Sequence, residues 1–212
     1  MPPLRGAFSN RVRCDRSAVR AGNPHLRCVW KGFFRWFGTR PFIVCLVVVA
    51  ILLAPLAMPI LSPSTLVNSY GASSYQSSPL PDRFGWSMMV SNLSQAYNTL
   101  SPSYRSQSCI FTENYGEASA VNFLGKSLGL PEAISGHNNY YIWGPNSCSA
   151  KVLITIGYSL SDDQQSFGNV SLLTTIVCQY CISYESNLPV YLCTSPTFSS
   201  IAIEWPNVRH YD

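Results

Sequence analysis

The chain has 212 residues, enough for one ordinary domain or for one domain with a membrane segment, and too few for a polytopic transporter. It is 47% hydrophobic and only 11% charged, against about 25% charged residues in soluble globular domains, which excludes intrinsic disorder for most of its length. The net charge of +4 hides a split: residues 1–40 hold nine basic residues against Asp15 alone, and residues 41–212 hold five basic against nine acidic. Such asymmetry fits a chain crossing a bilayer and excludes a nucleic-acid footprint, so no nucleic-acid partner is expected.

In chain order, residues 1–28 show no periodicity and read as disordered. Trp30, Phe33, Phe34, Trp36 and Phe37 then mix with basic residues, as at an interfacial anchor. Pro41 to Leu61 carries no charged side chain. About twenty apolar residues at 1.5 Å rise span a hydrocarbon core of about 30 Å, so a transmembrane helix over 41–61 is expected. The basic flank places residues 1–40 in the cytoplasm and 62–212 outside it. The expectation is a single-pass protein of the inner (cytoplasmic) membrane, with the lipid bilayer as a partner. The long leading region and the lack of an Ala-x-Ala site favour an anchor over a cleaved signal peptide.

Residues 62–81, rich in Ser, Pro and Tyr, read as a linker, and residues 82–212 as an extracytoplasmic domain. Asp82 can cap a helix over 83–100, where Trp86, Met89, Val90, Leu93, Tyr97 and Leu100 repeat at helical spacing. Cys109 to Thr112 reads as a buried strand, followed by Glu113-Asn114-Tyr115-Gly116-Glu117 and a helical run that Gly129 and Pro131 end. Further strands are expected at 152–157, 170–178 and 190–193, with a helical turn at Ser161-Asp162-Asp163 and a closing helix over 198–205. Strands alternating with helices favour a small α/β domain. Its polar residues then lie at the carboxyl end of a strand, where open α/β sheets place ligands.

The pieces Glu113-Asn114-Tyr115-Gly116-Glu117-Ala118, Gly129-Leu130-Pro131, Ser135-Gly136-His137-Asn138 with Tyr140, and Trp143-Gly144-Pro145 form one linked block. Together with Leu56 to Pro63, they resemble the last transmembrane helix and outer domain of bacterial membrane glycosyltransferases related to the dolichyl-phosphate-mannose protein mannosyltransferases. The resemblance implies a transferase drawing on a polyprenyl-phosphate sugar, with a polytopic subunit as partner. It places that family's catalytic acidic residues in an early extracytoplasmic loop with no counterpart in these 212 residues. The expectation is therefore a truncated or split relative that is not catalytic by itself, or alternatively a free-standing carbohydrate-binding or structural envelope protein.

The candidate sugar-binding residues are Glu113, Asn114, Tyr115, Glu117, His137, Asn138, Tyr140 and Trp143, since aromatic faces stack on sugars while amides bond hydroxyls. Buried aromatics serving as core are the equal alternative. Glu113 and Glu117, with His137, can act as a catalytic carboxylate pair. The plainer and favoured account places Glu117 at a helix amino terminus, where it is worth about 0.3–1 kcal/mol, with Glu113 and Asn114 bonding local backbone. His137 has no second ligand at metal-binding spacing, so no metal and no cofactor are expected. Five of the eight cysteines lie beyond the apolar run, and one disulfide among Cys178, Cys181 and Cys193 is expected.

Overall fold

The computed structural model describes residues 39–58 and 60–211. The basic and aromatic stretch up to Phe37 lies outside the described residues. The chain divides into two compact units, Met1–Ile60 and Leu61–Asp212.

Within the first unit, helix α1 spans Thr39–Ala57. The expected transmembrane helix over 41–61 is corrected here: among the described residues, no helix is long and apolar enough to cross a membrane. The cause is the pair of prolines in the apolar run. Pro55 sits inside α1 and the helix closes at Ala57, before Pro59. Two of its 19 residues, Thr39 and Arg40, are polar. The rest extend about 25 Å at 1.5 Å per residue, short of the roughly 30 Å of hydrocarbon.

The second unit begins with two short helices where a linker is expected, α2 (Pro63–Tyr70) and α3 (Ala72–Gln76). Ser62 caps α2 by accepting from the Thr65 N–H, with Pro63 at the first helical position. Leu66, Tyr75 and Leu80 bury together in a small cluster of their own. Helix α4 (Trp86–Asn98) carries the expected stripe, but its cap is Gly85 in a left-handed conformation, not Asp82. The Asp82 carbonyl instead accepts from Trp86 Nε1 at 2.8 Å. After the short α5 (Pro102–Arg105), capped by Ser101, comes β1 (Ser108–Thr112).

Helix α6 (Tyr115–Leu124) runs into a 3-10 turn and stops at Gly129. Strand β2 (Ala133–Ser135) is followed by α7 (Asn138–Trp143), and β3 (Val152–Ile156) by α8 (Leu160–Ser166), which Ser159 caps. Two long strands, β4 (Phe167–Val177) and β5 (Asn187–Pro196), and the short α9 (Ile201–Glu204) complete the unit.

The five strands form one sheet in the order β2-β1-β3-β5-β4. Strands β2, β1 and β3 are parallel, with β3–β5 and β5–β4 antiparallel. The expected α/β domain is thus found, carrying a mixed sheet. All five residues of β3 are buried, as its place at the centre of a covered sheet requires. Strand alternation divides the core. Ile110, Ile154 and Ile156 face one side with Val90, Leu93 and Val121 of α4 and α6. Cys109, Phe111 and Leu153 face the other with Ile201 and Trp205.

The expectation of one disulfide among Cys178, Cys181 and Cys193 is met. Cys178–Cys181 is a disulfide, whereas Cys193 is free and buried, and the second disulfide is Cys109–Cys148. Cys193 is the inward residue of a core strand, 3.8 Å from Thr155 Oγ1, and burial pushes its thiol up to about 12. It therefore behaves as a small buried hydrophobe and not as a nucleophile.

Candidate functional site

In a parallel register, neighbouring strands end together, and here Thr112 pairs with both Ser135 and Ile156. The residues that follow these ends, Glu113 after β1, His137 after β2 and Gly157 after β3, therefore meet at one edge of the sheet. Strand β5 runs the other way, so the segment leading into it arrives at the same edge and delivers Glu185. The result is a cleft of about 800 Å³ between the start of α6 and the segments bearing Asp82, Tyr184 and His210.

The floor is built by a capping box. The Glu117 N–H donates to Asn114 Oδ1 at 2.9 Å, and the Asn114 N–H donates to Glu117 Oε2 at 3.2 Å. Asn114 Nδ2 then donates to Glu185 Oε1 at 2.7 Å, tying a carboxylate 71 residues away to the same cap. Glu117 is 1% exposed, and its Oε1 is buried with no hydrogen-bond partner among the described residues. Burial, reinforced by Glu185, raises its carboxyl to about 9, so it stays protonated at neutral pH. Burial also raises Glu113, against the lowering influence of His210, and raises Glu185, against its bond from Asn114.

Gly157 explains how two carboxyls fit in one corner. Its φ is +86°, and a β-carbon there would stand 2.8 Å from Glu113 Oε2 and 3.2 Å from Glu117 Oε1. Only glycine leaves that space open. The wall is a pair of imidazoles. His137 is 3% exposed and stacks on His210 with centroids 4.7 Å apart, while Tyr115 meets His137 edge-on at 5.1 Å. The C-terminal segment is held by the Asn138 N–H donating to the His210 carbonyl and the His210 N–H donating to the Gly136 carbonyl. A β-carbon on Gly136 would lie 2.0 Å from the Val208 carbonyl oxygen, so this close approach demands glycine. His210 Nε2 bonds the Glu113 carbonyl at 2.8 Å.

Of the residues singled out in the sequence, Glu113, Asn114, Tyr115, Glu117 and His137 line the cleft. Asn138, Tyr140 and Trp143 do not. Asn138 supplies backbone to the His210 bridge at a positive φ of 50°. The Tyr140 hydroxyl accepts from Ser119 and Asn122 and its ring packs on Trp143, which is exposed on α7. Asp82, Tyr184, Glu185 and His210 are the residues that sequence reasoning missed. The signal for Glu185 is its scarcity, one of ten acidic residues in 212, set between Cys181 and a strand. His210 carries none.

Among the described residues, no group of three or more His, Cys, Asp or Glu side chains can hold a metal ion. Four carboxyls, two imidazoles and an amide beside Trp86, Tyr115, Phe123 and Tyr184 can instead bond hydroxyls while aromatic faces take apolar surface. Compared with known proteins, the chain matches no family model, no curated protein and no solved structure.

Proposed function

We propose that the unit over residues 61–212 binds carbohydrate in this cleft. It serves as the acceptor-binding or accessory part of a glycosyltransferase that draws on a polyprenyl-phosphate sugar, with catalysis residing in a polytopic partner subunit. The observation that carries this reading is the convergence, at one sheet edge, of the Asn114 amide, three glutamates and the rings of Trp86, Tyr115, Phe123 and Tyr184 around a space of about 800 Å³, within the roughly 300–1,000 Å³ of small-molecule sites.

The link to a transferase rests on the resemblance of residues 111–145, which contribute Glu113, Asn114, Tyr115, Glu117 and His137 to the lining of the cleft. Two disulfides, Cys109–Cys148 and Cys178–Cys181, favour an oxidising, extracytoplasmic compartment. A free-standing carbohydrate-binding envelope protein is the second reading, favoured by the unit's possession of its own core.

Isothermal titration of the full chain with oligosaccharides tests the proposal. Binding that weakens about tenfold in Tyr115→Ala, equal to about 1.4 kcal/mol, is expected. Absence of binding to every oligosaccharide at millimolar concentration sinks it. Co-purification with a polytopic membrane subunit separates the accessory reading from the free-standing one.

A further inference from the structure

Four of the chain's ten acidic residues, Asp82, Glu113, Glu117 and Glu185, line this one cleft, and its lining contains no Lys or Arg. Acidic clustering alone describes many solvated surfaces. This cluster differs in being partly desolvated: Glu117 is 1% and Glu185 6% exposed. Glu117 Oε1 is buried against the cleft with no hydrogen-bond partner, an arrangement that burial makes costly until a donor arrives. A β-carbon on Gly157 would stand 2.8 Å from Glu113 Oε2 and 3.2 Å from Glu117 Oε1, so these two carboxyl oxygens converge on one point beside that glycine.

We infer that the ligand of this cleft is a glycan bearing a protonated primary amine, which Glu113, Glu117 and Glu185 hold, and that phosphate-bearing sugars are excluded from it. An ammonium is compact and brings three donors, matching oxygens that converge from different chain segments. Phosphate brings acceptors and negative charge, and would meet a lining that holds four acidic side chains and no Lys or Arg. The inference rests on the carbohydrate reading above and sharpens it. The cleft takes the acceptor, and a phosphate-linked donor must be bound elsewhere. His137 and His210 stack in the same wall, His210 Nε2 resting on the Glu113 carbonyl, with Tyr115 and Tyr184 exposed at the rim.

The test titrates the full chain at constant ionic strength with a glucosamine tetramer, its N-acetylated counterpart, a neutral mannose tetramer, a mannose phosphate and spermidine. Binding of the glucosamine tetramer at least tenfold tighter than the N-acetylated one, with no binding of the phosphate, is the expected result. Replacing Glu113→Gln and Glu117→Gln together should remove most of that preference while circular dichroism stays unchanged. Glu185→Gln alone, which can keep an acceptor for Asn114, should reduce the preference without loss of fold. Equal affinity for the amine and acetamide tetramers, or a preference that survives these variants, overturns the inference and leaves carbohydrate binding standing. Spermidine binding without any glycan overturns the carbohydrate reading, and so the inference resting on it. Silence from all five ligands overturns both.

Discussion

Glu117 couples the cleft to the stability of the whole unit, because one carboxyl both closes the α6 cap and lies unhydrated in the site. Its ordinary value is 4.5 and its folded value about 9. Between those pH values the folded chain keeps the proton and the unfolded chain has released it. This contribution to stability is therefore whole below about pH 4.5 and is lost as pH rises through about 9. Urea unfolding across pH 5 to 9 should show stability falling with a slope of up to about 1.4 kcal/mol per pH unit. In Glu117→Gln, which keeps a capping-box side chain, that slope should flatten. An unchanged slope would place the titrating group elsewhere. The sequence revealed Glu117 as a helix amino-terminal residue, since Asn-x-x-Glu is visible in one dimension. Its loss of water was not visible, because groups beside it, Gly157 and Glu185, come from segments distant in the chain.

At the scale of elements, the cap of α6 does two tasks that one substitution can separate. Asn114→Ala removes the cap at a cost of about 0.5–2 kcal/mol and also strips Glu185 of its amide donor. Asn114→Asp keeps the cap but sets a carboxylate against Glu185. Thermal denaturation should therefore rank both variants below the wild type, and the aspartate should recover as pH falls. The turn after β3 is as narrow. Gly157→Ala must hold a φ of +86° and bring a β-carbon within 2.9 Å of the Glu113 β-carbon, a cost of about 1–3 kcal/mol that a shift in the urea midpoint would register.

Element legibility followed burial pattern. The apolar run at 152–156 and the stripe of α4 were plain, since a central strand and an amphipathic helix each impose a period on the sequence. Strand β2 escaped because three residues carry no period, and it is fixed instead by Asn122, whose side chain exchanges two hydrogen bonds with the Ala133 backbone. The apolar run at 41–61 misled because hydropathy counts residues without asking where prolines end the helix. The chemistry of Tyr140 and Trp143 alone points to the site, whereas neither lines the cleft and the Tyr140 hydroxyl is taken up by Ser119 and Asn122.

For the molecule as a whole, disulfides and core divide the stabilising work by sequence separation. Cys109–Cys148 closes 39 residues and joins β1 to the segment before β3, whereas Cys178–Cys181 closes three. Loop-closure entropy then assigns about 4 kcal/mol to the first and considerably less to the second. The double variant Cys109→Ser with Cys148→Ser should lose more stability than Cys178→Ser with Cys181→Ser, as read by urea unfolding under non-reducing conditions. Among the described residues, the three apolar clusters, the sheet and both disulfides fall within residues 61–212. A chain beginning at Leu61 therefore contains every residue of these elements. Expressed under oxidising conditions, it should unfold in one cooperative transition with a midpoint within about 4 °C of the full chain, a shift that corresponds to less than about 1 kcal/mol in a domain of this size. A broad or markedly lower transition would show that residues before Leu61 complete the core, and would overturn the boundary that the contacts define.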